Sequence, residues 1–167
     1  MPATKTKILR ETWEVEPALA ALQLDRGKLL NVRTTALGAA ADATPFHPAN
    51  APGTLSYQYG TFALRYEHVG DAWQADRPNG VEAIKNDAIR VRIVFANVDV
   101  ACNDEQEPKA RSEKGAGAER LCAGNGLFED LPRYASVDDG KDEGWVTYYL
   151  MVAPNGAVEL TRATVEG

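Results

Sequence analysis

Between residues 108 and 120 the chain reads PKARSEKGAGAER, which sets Lys109, Arg111, Lys114 and Arg120 around Gly115 and Gly117. Glycines let backbone amides approach a phosphate closely, and Lys or Arg supplies the charge that holds it. The spacing is not that of a Walker A loop, which needs glycine, four residues and then Gly-Lys-Ser/Thr. Of a dinucleotide-binding GxGxxG, only Gly115 and Gly117 are in place. Against a phosphate site stands a solvated surface loop in which Glu113 and Glu119 offset part of the cationic charge. The segment is expected to be exposed, with its four cations available to an anionic group or to an acidic surface of a partner, in a contact that weakens with salt.

Carboxylates offer less. Asp99, Asp104, Glu105 and Glu107 crowd the end of an expected strand, and Glu107-Pro108-Lys109 matches a nuclease-like E-x-K pattern. Such sites carry their acids on core strands around a divalent metal, whereas here a proline separates the two in a polar stretch. Asp138, Asp139, Asp142 and Glu143 form an acidic surface in SVDDGKDEG. That surface could imitate nucleic acid on a basic protein or be a solvated turn. The two histidines, His47 and His68, fall short of the three or four Cys/His ligands of a zinc site, so no metal and no cofactor is expected. No G-x-S-x-G frames Ser56, Ser112 or Ser136, and none has a recognisable base. Cys102 and Cys122 are expected to be buried thiols, although a pairing between them stays open.

These side chains would be positioned by a mixture of helices and strands. The stretch from Glu14 to Ala43 is rich in alanine and leucine, with Pro17 suited to a first helical turn, and it predicts a short helix and then a longer one over 26–41. TPFHPANAPG predicts an extended loop. In TLSYQYGTFALRYEHVG, Leu55, Tyr59, Phe62 and Tyr66 recur at spacings of four, three and four, which is one face of a helix with Thr54 as its N-cap. A hairpin turning at Gly60 competes. VEAIKNDAIRVRIVFANVDVAC carries both a helical stripe and a β-branched alternation, and predicts a short helix followed by a strand near 89–96. Long loops are expected at 103–126 and 136–144. GWVTYYLMV and AVELTRATV predict an antiparallel hairpin around Asn155-Gly156.

The fold class expected is therefore α+β: a single domain with a helical N-terminal half and a C-terminal β-hairpin, residues 1–15 forming an N-terminal arm and 16–167 the domain. A chain of 167 residues, 44% hydrophobic and 25% charged, suits one globular domain. Core packing is the expected role of most of Trp73, Trp145, Tyr57, Tyr59, Tyr66, Tyr148 and Tyr149, with one of the adjacent tyrosines 148 and 149 turned outward as a contact residue. With 24 acidic against 18 basic residues, a net charge of −6 disfavours general binding to nucleic acid. No run approaches the ~20 apolar residues of a membrane helix, and a cytoplasmic protein without membrane association is expected. NVDVACNDEQEPKARSEKGAGAER, following a strand, resembles in general texture the accessory proteins of phages or plasmids and transfers no residue roles. The functional expectation is a small binding or regulatory protein that docks on another macromolecule, a protein being the expected partner ahead of nucleic acid. The alternatives are a phosphate- or nucleotide-binding enzyme using the 108–120 segment and an acidic mimic of nucleic acid.

Overall fold

The computed structural model describes residues 8–98 and 144–162. Helices α1 (Thr12–Ala21), α2 (Arg26–Ala41) and α3 (Ala51–His68) precede strands β1 (Gln74–Asp76), β2 (Ala83–Asn86) and β3 (Val91–Asn97). Strands β4 (Val146–Val152) and β5 (Val158–Arg162) complete the described chain. The five strands form one sheet in the order β1-β2-β3-β4-β5. Neighbours run antiparallel except β3 and β4, which are parallel, with Val91 opposite Val146 and Asn97 opposite Val152. The chain is an α+β protein, with its helices in the N-terminal half and its last two strands in an antiparallel pair.

The longer helix expected over 26–41 is α2, capped by the Asp25 carboxylate, which accepts from the Gly27 amide at 3.3 Å. Leu29, Val32, Ala36 and Ala39 are its buried side chains. The shorter helix, α1, begins at Thr12 rather than near Pro17, so the proline lies inside it and part of the expected N-terminal stretch is helical. Burial of Leu19 and partial burial of Val15 and Leu22 against the core hold this helix across the proline.

The loop expected over 44–53 ends sooner, because α3 starts at Ala51 with Asn50 as its N-cap and Pro52 in the first turn, where a missing amide hydrogen costs nothing. Thr54 is therefore not the cap. The short helix expected before β3 is instead strand β2. Asn86 opposes Val91, and the four residues between turn with Arg90 at φ 54° and the Asn86 carboxamide accepting from the Ala88 amide at 3.1 Å. The apparent helical stripe merged two sheet faces: Val81 packs on one and Ile84 on the other. The C-terminal hairpin turns at Asn155-Gly156 as expected, with Gly156 at φ 90° and the Asn155 side chain accepting from the Ala157 amide at 3.0 Å.

Strand β3 is buried along its whole length, which accounts for its nearly continuous apolar run. Ile93, Phe95, Leu150 and Val152 join Val32, Ala36, Ala63 and Leu64 of the helices in the larger cluster. Val94, Ala96, Tyr149 and Met151 form a second buried cluster on the other face. Tyr148 is partly buried against the helix-side cluster and Tyr149 is 1% exposed, so neither is the outward contact residue expected of that pair. The centre of the sheet, β3 and β4, is buried on both faces and leaves no wet side for it.

Candidate functional site

Helix α3 has two unlike faces. Ser56, Gly60, Thr61, Ala63, Leu64 and His68 are buried, and most of them are small. At Gly60 a Cβ would overlap the Phe95 ring. The helix backbone thus lies against β3 at a distance that only small side chains permit. The large side chains are turned the other way: Tyr59 is 49% exposed, Phe62 58% and Tyr66 77%. The four-three spacing is a helix face as expected, but the rings of Tyr59 and Tyr66 are not core packing. Tyr59 meets Phe62 edge-on with ring centroids 6.5 Å apart, and Phe62 stacks on Tyr66 at 5.9 Å with 20° between planes. These separations suit aromatic pairs, so the rings hold each other as a ridge that no element among the described residues covers. Tyr57 is also exposed, whereas Trp73 is buried as expected.

Beside the ridge, α3 is pinned to the edge of the sheet. The Arg65 guanidinium donates to the Asp76 carbonyl at 2.9 Å, the Ala83 carbonyl at 3.3 Å and the Glu82 carboxylate at 2.6 Å. Glu82 also accepts from Arg77 at 2.5 Å. Arg77, and behind it Arg65, hold the Glu82 carboxyl below its ordinary range. Burial, then the nearby Glu82 charge, push the Tyr57 hydroxyl up. This network orders the ridge's flank but presents no nucleophile or open cation. On the other sheet face Arg92 pairs with Asp76 at 3.1 Å, its guanidinium 4.6 Å from the centre of the Trp145 ring.

A half-open cavity of about 330 Å³ lies where α2 and α3 meet the carboxyl ends of the parallel strands, lined by Leu37, Ala40, Pro52, Ser56, Asn97 and Val152 among others. Ser56 donates to the Asn97 carboxamide oxygen at 2.7 Å, and Asn97 donates to the Gly53 carbonyl at 2.9 Å. A carboxamide oxygen takes no proton from a hydroxyl, so this serine is tied to a structural bond rather than activated. His68 is buried, its Nδ1–H donating to the Leu64 carbonyl at 2.8 Å and its ring edge-on to Trp73. That bond fixes the proton of the neutral ring on Nδ1, with Nε2 enclosed and without a hydrogen-bond partner among the described residues. Burial pushes its pKa down. His47 is exposed and accepts at Nδ1 from the Thr44 amide at 2.9 Å. Among the described residues no three His, Cys, Asp or Glu side chains converge as metal ligands.

The cationic segment of Lys109, Arg111, Lys114, Gly115, Gly117 and Arg120 lies outside the described residues. So do the acidic group of Asp138, Asp139, Asp142 and Glu143, the carboxylates 99–107 and both cysteines. The expected loop at 103–126 falls there too, as does the one at 136–144 apart from Gly144. What the structure brings together instead is the ridge. Its signal was present in the sequence as the spacing of Leu55, Tyr59, Phe62 and Tyr66. What assigned it to solvent was the complementary run of small residues at 56, 60 and 63.

Fold and site define an α+β protein of helices on a mixed sheet, displaying an aromatic helix face. The chain matches no family model, no curated protein and no solved structure. Among the described residues no helix is long and apolar enough to cross a membrane.

Proposed function

We propose that the protein is a binding module that docks on another protein through the aromatic ridge of α3. The observation that carries this reading is the set of three touching rings, Tyr59, Phe62 and Tyr66, left largely in solvent on an ordered helix. Exposing so much contiguous apolar surface is unfavourable in water unless it is covered in use. Tyr and Phe are enriched at the centres of protein interfaces, where large rigid rings bury area at little entropic cost.

Stacking on nucleobases would use the same rings, but it works beside cations that track the phosphate backbone. Arg65, the nearest cation on the helix, is committed to Glu82 and to two backbone carbonyls. The net charge of −6 also opposes a polyanion. A protein surface of apolar and weakly charged side chains is the complementary partner.

A photo-crosslinking amino acid at position 62, compared with one at the exposed Glu16, tests the reading in cells that express the protein. Protein adducts are expected at 62, absent at 16, and lost when Tyr59 and Tyr66 are both replaced by Ser. Adducts only to nucleic acid, or equal adducts at both positions, would overturn it.

A further inference from the structure

The docking reading of α3 leaves the partner open, and the ridge itself narrows it. With the half-buried Leu55 at one end and Val69, which caps the helix and is 48% exposed, at the other, the line runs Leu55, Tyr59, Phe62, Tyr66, Val69 at spacings of four, three, four and three. That is the 3.5-residue repeat by which two helices pack along a common seam. The line also reads the same from either end: aliphatic, Tyr, Phe, Tyr, aliphatic, with Phe62 seven residues from each terminus of the pattern. A two-fold interface requires a surface that is complementary to itself. An antiparallel pair of such helices sets Phe62 beside its own copy, Tyr59 beside the partner's Tyr66 and Leu55 beside the partner's Val69.

We infer that the partner is a second copy of this chain, with α3 packed antiparallel on α3 about a two-fold axis at Phe62. The charges permit it. The seam positions carry none, and across the axis the exposed Gln58 faces the partner's Arg65 rather than a like charge. The antiparallel arrangement sets each helix N-terminus beside a C-terminus, which the helix dipoles favour. At ~150–250 Å² for a whole aromatic side chain, the exposed fractions of the three rings amount to roughly 400 Å² per copy. Two copies, with Leu55, Gln58 and Val69 at the rim, reach about 1,000 Å², the lower limit for a specific interface. The dimer is therefore weak and concentration-dependent, with dissociation in the micromolar range.

Sedimentation equilibrium of the full chain from about 1 to 300 µM tests this, together with Phe62→Glu, Phe62→Lys and an equimolar mixture of the two. The parent is expected to pass from monomer to dimer. Each charged variant should weaken dimerisation about 30-fold or more, as at a central contact residue, with an unchanged circular dichroism spectrum. The mixture should recover dimer, because only a two-fold arrangement brings position 62 against itself. A parent that stays monomeric throughout, a dimer indifferent to both variants, or a mixture that stays monomeric overturns the inference. A monomeric parent that still crosslinks another protein through position 62 keeps the docking reading and removes only the second copy. Loss of those adducts as well removes both.

Discussion

His68 is the buried side chain whose charge state bears most directly on stability. Its Nδ1–H is committed to the Leu64 carbonyl and its Nε2 is enclosed, so a proton added at Nε2 meets no acceptor among the described residues. Burial, reinforced by Lys28, lowers its pKa, while the Leu64 bond, Glu67 and Asp25 act in the opposite sense with smaller net weight. In the unfolded chain the group titrates near its ordinary 6.5. Below that pH the unfolded state binds more protons than the folded state, so stability falls as pH drops from about 6.5 and is complete above it. Urea midpoints at pH 7.5, 6.5 and 5.5 should decline over the lower interval, and His68→Gln should flatten that decline. An unchanged slope in the variant would assign the pH dependence elsewhere. Glu82, its pKa lowered by the arginines, adds a separate loss only as pH falls through and below 4.5.

At the level of the element, α3 is built inside out relative to an ordinary amphipathic helix. Where it crosses Phe95 its buried face is made of the small Ser56, Gly60 and Ala63, with the larger Leu64 and His68 buried nearer its C-terminal end, and its aromatic rings face water. Two neighbouring substitutions should therefore have opposite consequences from those side-chain size alone implies. Gly60→Ala improves helix propensity by about 1 kcal/mol, yet the added methyl has no space against the Phe95 ring. A net loss of roughly 1–3 kcal/mol is expected from overpacking. Phe62→Ser removes a large apolar side chain, yet should change monomer stability by no more than about 0.5 kcal/mol, since it empties no core site. Denaturant titration of both near 1 µM, where the monomer predominates, checks the pair. A stabilised Gly60→Ala or an unfolded Phe62→Ser would contradict the position of α3.

For the whole molecule, two sources of association give opposite salt responses. A contact through the cations of the 108–120 segment would be electrostatic, and screening over about 8–10 Å at physiological ionic strength would weaken it. The α3 ridge is uncharged, so burial of its rings should be insensitive to salt or slightly strengthened by strongly hydrated anions. Dimerisation measured from about 0.05 to 0.5 M sodium chloride should change by less than threefold, whereas loss of tenfold or more would point to charge as the driving force. A net charge of −6 on each copy works in the same direction, because added salt relieves the repulsion between them.

The amino-acid sequence alone determined the class of fold, the span of α2, the existence of a helix through residues 54–68 and the hairpin at Asn155-Gly156. Each rests on local physics: helix propensity, a 3.6-residue period, and a turn needing a positive φ at Gly156. Residues 81–91 were illegible because two short strands with a four-residue turn mimic a helical stripe, and only cross-strand pairing of Asn86 with Val91 separates the readings. The parallel pairing of β3 with β4 joins segments about fifty residues apart, which no local pattern encodes. The ridge was visible as a spacing but not as a surface. A period shows which side chains share a face, whereas which face meets the core depends on how closely the backbones approach. Here Gly60 against Phe95 settled it, turning the aromatic side to water.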